Sequence, residues 1–157
     1  MTASDWPRVR GIHEEGIATG NATFETETPD WQQWDARHLA SCRLIAAEDD
    51  QILGWAALSP VSARRVYAGV AEVSVYVSAA VRGRGVGRAL LSELILDSEQ
   101  HGIWTLQAGI FPENFASLAL HEALGFHRVG IREQLGQLRS QWRDVLLLER
   151  RSKLAGR

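Results

Sequence analysis

The sequence has almost no cysteine and no long apolar run. Cys42 is the only thiol among 157 residues, which excludes a disulfide framework and a zinc site built from cysteines. No apolar segment approaches the roughly 20 residues that cross a bilayer, and the first residues lack the apolar core of a signal peptide. We therefore expect a cytoplasmic protein without a membrane partner. The length suits one domain spanning residues 1–157.

Charge is unevenly distributed, although the net charge is only −2. Residues 1–54 carry 4 basic and 10 acidic side chains, whereas residues 128–157 carry 8 basic and 3 acidic ones. A basic tail is one mark of nucleic-acid binding. Here the arginines are spread among apolar residues, and no aromatic platform accompanies them. We expect no nucleic-acid partner and assign these arginines to solvated strand edges or small-anion contacts.

The chain reads as alternating helices and strands without repeats or linkers. Apolar residues with helical spacing predict a first helix that starts near Ser4 and ends near Gly20. Thr28-Pro29-Asp30 marks the start of a second helix. Residues 43–47 and 52–58 predict an antiparallel hairpin. The predicted elements that follow are strand 70–77, a helix from Val86 to about Gly102, strand 105–110, helix 112–124, and two β segments at 126–132 and 145–149.

A glycine-rich loop lies between strand 70–77 and the next helix. Gly83, Gly85 and Gly87 leave backbone N–H groups open to a ligand, and a helix start carries partial positive charge. The spacing fits neither a Walker A loop nor a Rossmann fingerprint, which argues against an NTPase or a dehydrogenase. A tight strand-to-helix turn is the alternative explanation, but the neighbouring arginines favour a pyrophosphate ligand.

Several motifs together resemble the GCN5-related N-acetyltransferase (GNAT) superfamily. They are Arg82-x-x-Gly85-x-Gly87 after an alternating strand, then Asn114, then Leu120 to Phe126. The resemblance narrows to the phosphinothricin and methionine sulfoximine acetyltransferase branch, which includes enzymes that detoxify arsinothricin. The segments similar to this branch are Asn21 to Thr26, Val70 to Val77, Leu120 to Phe126 and Trp142 to Val145.

The resemblance implies an α/β domain of the GNAT fold, with a mixed, mostly antiparallel central sheet and helices on both faces. Members usually begin with a short strand, whereas the first helix here is predicted only four residues in. The first strand is therefore expected to be truncated, or Met1 to be an internal methionine of a longer reading frame. In either case the backbone groups at that sheet edge need another partner.

The resemblance also implies acetyl-CoA as cosubstrate and no metal. The pyrophosphate is expected at the glycine loop, and the pantetheine arm along the backbone of Val75 and Val77. Asn114 is expected either to contact the cofactor or to be only a helix N-cap. The implied cofactor-binding residues are Val75, Tyr76, Val77, Arg82, Gly83, Arg84, Gly85, Val86, Gly87, Arg88, Asn114 and Ser117.

Glu72 and His121 are the expected catalytic residues. Glu72, on the polar face of the alternating strand, would remove the ammonium proton through a water or with a pKa raised by burial. The alternative is an exposed carboxylate without a role. His121 stands where many relatives carry a tyrosine near the departing sulfur, and it would donate to the thiolate or to a water. Its alternative is a ring that caps a neighbouring carbonyl.

The expected acceptor is a small amino acid with an extra anionic group. Arg64 matches a family arginine that meets a carboxylate or phosphinate, with Arg65 as the alternative, and Tyr67 matches as well. Phe24 and Glu25 are expected to wall the pocket. Where herbicide-resistance relatives carry a lysine two positions before the arginine, this chain has Ser62, which leaves the substrate preference open.

The sequence thus predicts acetylation of the α-amino group of phosphinothricin, methionine sulfoximine or arsinothricin, which confers resistance. One alternative keeps the chemistry and changes the acceptor to another small amine. The other is a module that senses acyl-CoA without turnover. The resemblance also implies a homodimer, to which the apolar run Val145 to Leu148 would contribute.

Overall fold

Six strands form one sheet, and four helices cover its two faces. The computed structural model describes every residue from Met1 to Arg157. The helices are α1 (Trp6–Ala18), α2 (Trp31–Arg37), α3 (Val86–Gln100) and α4 (Phe115–Ala123). The strands are β1 (Arg43–Glu48), β2 (Gln51–Pro60), β3 (Val70–Val77), β4 (Thr105–Ile110), β5 (His127–Leu138) and β6 (Gln141–Arg151). None of the helices has both the length and the apolar character that crossing a bilayer requires.

The sheet is mixed and mostly antiparallel, as predicted. Its strand order is β1-β2-β3-β4-β6-β5, and only β3 and β4 run parallel. The parallel pairing is short, because only Val70 to Glu72 pair with Thr105 to Gln107. Beyond these residues β3 stays paired with β2, and β4 stays paired with β6. The sheet therefore opens between β3 and β4 beyond the pair of Glu72 and Gln107.

Alternation along β2 explains why both faces carry helices. Trp55 and Ala57 are buried in a cluster formed with α1 and α2, whereas Ala56 and Leu58 are buried in a second cluster with α3 and α4. Successive strand residues face opposite sides of a sheet, so a strand covered on both faces is apolar throughout. Leu91 of α3 is completely buried, and a side chain of this size stabilises the fold by about 1.5–3 kcal/mol.

No strand precedes α1, so β1 is an edge of the sheet, which agrees with the expectation of a missing or reduced first strand. The N-terminal ammonium group of Met1 lies 3.4 Å from the carbonyl oxygen of Arg43 in β1. Helix α1 begins at Trp6, slightly later than the sequence predicts. The Asp5 carboxylate accepts a hydrogen bond from the backbone N–H of Thr2 instead of capping the helix.

The C-terminal hairpin is longer than predicted. Strands β5 and β6 extend to a two-residue turn at Arg139 and Ser140, both with positive φ. Residues 133–137 are mostly exposed and carry a single large apolar side chain, Leu135, so no apolar alternation marks this extension in the sequence. The apolar run Val145 to Leu148 lies in β6 between β4 and β5, with Val145 and Leu148 buried. Leu146 and Leu147 between them are only partly buried, so the contribution of this run to a dimer interface stays a prediction.

Candidate active site

A cleft of about 850 Å³ opens where β3 and β4 separate. The backbone of Val73 to Val77 pairs with β2 on one side only, which leaves its N–H and C=O groups free on the cleft side. Residues of β4 and α4 line the opposite wall. A free strand edge can pair with an extended ligand that carries amides, as an added strand would. This geometry suits the role expected for the backbone of Val75 and Val77.

The glycine loop lines the same cleft. Gly83 and Gly85 have φ values of 79° and 82°, a left-handed conformation that other residues seldom adopt. Gly85 is the N-cap of α3, and the N–H groups of the first helical turn have no partner inside the helix. These groups belong to Val86, Gly87 and Arg88. Together with the positive end of α3 they form a corner beside the free strand edge that is suited to an anion.

Two of the three arginines around this loop reach the cleft. Arg82 and Arg88 line it, whereas Arg84 does not. The guanidinium of Arg84 lies 3.3 Å from the Glu48 carboxylate, and both side chains are more than half exposed. The Arg84 side chain, which the sequence placed among the cofactor ligands, is therefore directed at the β1–β2 hairpin.

Glu72 lies at the last pair of the parallel ladder and lines the cleft. Its pairing partner Gln107 donates a hydrogen bond from Nε2 to Glu72 Oε2 at 2.8 Å. Glu72 is exposed, so water can reach its carboxylate. An exposed carboxylate fixed by one donor is suited to taking up a proton through a bound water.

His121 also lines the cleft, with only 4% of its surface exposed. Its Nδ1 lies 2.8 Å from the Ser117 carbonyl oxygen, which can only accept, so Nδ1 carries the proton. Burial lowers the pKa of the ring below its ordinary value, which keeps the ring neutral at pH 7. Nε2 is buried without a partner and is an acceptor in this tautomer. The ring caps a carbonyl, as the alternative interpretation predicted, and Nε2 can donate only after it has taken up a proton.

Asn114 both caps α4 and lines the cleft. Its Oδ1 accepts from the backbone N–H of Ser117 at 3.2 Å, and its Nδ2 donates to the Asn21 carbonyl at 3.2 Å. This cap starts α4 at Phe115, three residues after the predicted start. Ser117 lines the cleft as well. The cap and a cofactor contact are thus compatible roles for Asn114.

The loop after α1 forms another wall, but its two candidate residues face different cavities. Phe24 lines the cleft and meets the Phe111 ring edge-on, with centroids 4.9 Å apart. Glu25 lies in a separate cavity of about 300 Å³, where it accepts from His13 Nε2 at 2.9 Å. This hydrogen bond lowers the pKa of the Glu25 carboxyl. Glu25 therefore ties the loop to α1 and does not line the cleft.

Tyr76 separates the two cavities and lines both of them. Its ring stacks on Trp55 with centroids 4.8 Å apart and lies over Gly16 of α1. Burial raises the pKa of its hydroxyl to about 12, so the group stays protonated. The Tyr76 side chain thus packs between β2 and α1 and forms part of the cleft wall on that side.

Arg64 and Tyr67 are not brought to the cleft. Both are exposed in the segment between β2 and β3, with the Arg64 guanidinium 5.5 Å from the centroid of the Tyr67 ring. Arg65 is exposed in the same segment and lines neither cavity. A single chain therefore offers none of these three residues to an acceptor in the cleft.

Other cleft residues were missed by sequence reasoning. Gln107 orients Glu72, Phe111 meets Phe24, and Arg132 and Leu135 of β5 line the cleft. Their positions depend on the long C-terminal hairpin and on strand register. Only Gln107 is marked in the sequence, because it is a polar residue between apolar neighbours in β4.

One group of metal-ligand side chains lies outside the cleft. Cys42, Asp97 and His101 each place a ligand atom within 4.8 Å of the others. Burial raises the pKa of the Cys42 thiol to about 11, so the thiol is protonated at neutral pH. The His101 ring already bonds the Asp97 carbonyl oxygen at 2.9 Å. A protonated thiol is a poor metal ligand, and we assign this group no role.

Comparisons with known proteins agree with this geometry. A sequence profile described as the acetyltransferase (GNAT) family matches residues 8–126. A protein of Alcaligenes faecalis named phosphinothricin N-acetyltransferase is 34% identical over 157 aligned positions, which cover 93% of this chain and 77% of that protein. A methionine sulfoximine and methionine sulfone acetyltransferase of Pseudomonas paraeruginosa is 31% identical, with 93% and 88% coverage.

A solved structure shows the same arrangement of elements. It is a phosphinothricin acetyltransferase of the GNAT superfamily from Sinorhizobium meliloti, in complex with acetyl-CoA. The two chains superpose with a TM-score of 0.86 at 29% sequence identity, covering 99% of this chain and 86% of the other. The fold predicted from the sequence is thereby confirmed.

Proposed function

Because the chain belongs to the acetyltransferase (GNAT) family and is an N-acetyltransferase, we propose that it uses acetyl-CoA to acetylate the α-amino group of a glutamate-like toxic amino acid. The candidates are phosphinothricin, methionine sulfoximine and arsinothricin. Loss of the ammonium charge would end their mimicry of glutamate and confer resistance. The proposal also places the enzyme in the cytoplasm.

The observation that carries the proposal is the split between β3 and β4 beside the glycine loop. The free edge of Val73 to Val77 suits the amides of pantetheine, and the N-terminal turn of α3 with Arg82 and Arg88 suits the pyrophosphate. The acetyl group would then lie toward Glu72. A backbone N–H of the free strand edge can stabilise the oxyanion.

Proton transfer is assigned to Glu72 and His121. The Glu72 carboxylate accepts the ammonium proton through a water, and the neutral amine attacks the thioester carbonyl carbon. The tetrahedral intermediate carries a protonated nitrogen, which passes a proton to the free Nε2 of His121. The carbon–sulfur bond then breaks, the amide forms, and Nε2–H returns its proton to the sulfur. The lowered pKa of His121 favours this return.

The acceptor pocket is assigned to the part of the cleft between the loop after α1 and β5. Phe24 and Phe111 supply apolar walls there, and Arg132 supplies the positive charge that a carboxylate or phosphinate requires. An arginine in the pocket disfavours a polyamine acceptor. Another amino acid is the alternative acceptor. A protein that senses acyl-CoA without turnover is the alternative that is not an enzyme.

We further propose a homodimer formed through the β5 edge of the sheet. Val129 and Ile131 are more than half exposed on this edge strand, and Trp142 is exposed on β6. Such an apolar edge favours pairing with a second copy. The cleft residue Arg132 belongs to the same strand, so the interface would border the site. A second chain could then supply the Arg64 and Tyr67 that one chain does not bring to its own cleft.

The proposed function is tested by following thiol release from acetyl-CoA with phosphinothricin, methionine sulfoximine, arsinothricin and glutamate. One toxic analogue should turn over well above glutamate, and Glu72→Gln should lose at least about 100-fold in kcat. Glu93→Gln is the control, since this carboxylate of α3 is exposed, as Glu72 is, and lies outside the cleft. If acetyl-CoA binds but no acceptor reacts, the sensor or another amine replaces this proposal.

The dimer is tested separately by light scattering at micromolar concentration. The wild-type chain should have twice the monomer mass, and Ile131→Lys should shift it toward the monomer. A monomeric wild-type protein would overturn the dimer proposal without touching the chemistry assigned to the cleft.

A further inference from the structure

Arg143 of β6 connects three parts of the chain that are far apart in sequence. Its guanidinium donates to the Gly20 carbonyl at 3.0 Å, to Asn21 Oδ1 at 2.9 Å and to Glu113 Oε2 at 3.1 Å. Only 18% of the Arg143 side chain is exposed. These bonds join the C-terminal hairpin to the loop after α1 and to the segment before α4.

The same guanidinium also lies against the aromatic wall of the cleft. Its carbon Cζ is 4.0 Å from the centroid of the Phe111 ring, a cation–π geometry. Phe111 in turn meets Phe24 edge-on. Gly136, the residue paired with Arg143 in the hairpin, leaves space for Phe24, because a Cβ there would lie 3.1 Å from that ring. Hydrogen bonds and ring contacts thus converge on one wall.

The loop depends on this contact more than α4 does. Asn114 caps α4 through Ser117, and the backbone N–H of Leu118 bonds the Asn114 carbonyl, so the helix start is held without Arg143. Gly20 and Asn21, by contrast, bond locally to Ile17 and Thr19 at the end of α1, and their hydrogen bonds to distant parts of the chain are those with Arg143 and the Asn114 side chain. Removal of Arg143 should therefore displace the loop and leave α4 in place.

We propose that Arg143 is a positioning residue that holds the acceptor wall, the loop of residues 20–24, in the shape required for catalysis. It does not line the cleft itself and acts through Asn21 and Phe24. Arginine fits the position because its planar fork donates several hydrogen bonds at fixed angles while stacking on a ring, which lysine cannot do. The inference rests on the proposed function in one respect, the assignment of this wall to the acceptor.

The test compares Arg143→Gln and Arg143→Lys with the matched control Arg150→Gln. Arg150 lies on the same strand, is 24% exposed and pairs with Glu99 at 3.1 Å, but it does not line the cleft. Arg143→Gln should raise the acceptor KM about tenfold or more, from lost charge-assisted hydrogen bonds, with less than about a twofold change in the acetyl-CoA KM. Arg143→Lys should recover part of the loss. Arg150→Gln should change neither KM.

Asn21→Ala provides a second route if an Arg143 variant fails to fold. It should raise the acceptor KM in the same direction, and the double variant should be no worse than Arg143→Gln. Unchanged acceptor KM in Arg143→Gln, or equal effects on both substrates, would overturn the inference. The same holds if Asn21→Ala has no effect.

Hydrogen exchange of the loop gives a readout that needs no acceptor. Peptides covering residues 19–25 should exchange faster in Arg143→Gln than in wild type or Arg150→Gln, while the α4 peptide stays protected. Should none of the tested amines react, the proposed function fails, yet this exchange pattern still decides whether Arg143 holds the loop. Unchanged exchange would overturn the inference.

Discussion

Gln107 and Glu72 face each other across the last pair of the parallel β3–β4 ladder, and the amide of Gln107 donates to the carboxylate of Glu72 at 2.8 Å. The two strands separate directly after this pair. The carboxylate is therefore fixed at the point where the cleft begins. This relationship places the candidate base on rigid strand backbone and not on a loop.

Gln107→Leu should lower kcat about 5- to 30-fold, because a hydrogen bond to a charged group contributes about 1–2 kcal/mol when partly exposed. The acetyl-CoA KM should stay close to the wild-type value. In a Glu72→Gln background the same change should have little further effect, since the two residues act as a unit. Steady-state kinetics of both variants and of the control Gln137→Leu check this. Equal losses in both backgrounds would separate Gln107 from Glu72.

Two neighbouring arginines should respond differently to the same substitution. Arg88 lines the cleft, whereas Arg84 pairs with Glu48 on the outside. Arg88→Gln should raise the acetyl-CoA KM about tenfold through loss of a charge-assisted phosphate contact, and Arg84→Gln should raise it less than about twofold. Both variants lose one positive charge, so the comparison removes the effect of net charge. Equal changes in KM would show that only overall charge matters.

Stability should fall on acidification below about pH 6.5. Burial lowers the pKa of both His121 and His38 in the folded chain. The unfolded chain then binds more protons between its ordinary histidine pKa of about 6.5 and the lower folded values, so the unfolding free energy decreases as pH falls through this window. Urea unfolding at several pH values should show this slope. The unfolding free energy of a double His38→Asn and His121→Asn variant should depend less steeply on pH. An unchanged slope would contradict the assignment of this pH dependence to the two histidines.

Gly16→Ala should destabilise the fold by about 1–3 kcal/mol, the usual effect of overpacking. A Cβ at this position of α1 would lie 2.6 Å from the Tyr76 ring, which packs against Trp55 and His13. Thermal unfolding measures the loss. Gly11→Ala in the same helix is the control, because its Cβ would meet nothing within 4 Å. A Tyr76→Val change should reduce the effect of Gly16→Ala.

Most elements could be predicted because their patterns are local. The two-residue alternation of β3, the glycine loop before α3 and the apolar hairpin of β1 and β2 all appear where the sequence places them. The β5–β6 hairpin is longer than its sequence pattern predicts, since almost all of β5 before Leu138 is exposed and no alternation of buried and exposed residues marks its outer half. The start of α4 moved to Phe115 because the Asn114 side chain, not Pro112, caps the helix.

The candidate site divides in the same way. Glu72, His121 and the glycine loop line one cleft because each is part of a local motif on β3, α3 or α4. Local sequence does not show that Arg84 turns to Glu48, that Glu25 turns to His13, or that Arg64 and Tyr67 stay outside the cleft. Those outcomes depend on which charged group is nearest once the chain has folded.

Residue type and spacing over short distances were enough to predict most of the elements, the glycine loop before α3 and the family, because each is encoded in short segments. Two features follow only from the folded chain, namely the register that pairs Glu72 with Gln107 and the contacts of Arg143 with Gly20 and Asn21. Each depends on where two distant backbone segments meet. That position is set by the packing of the whole sheet. No single segment of the sequence is sufficient to predict it.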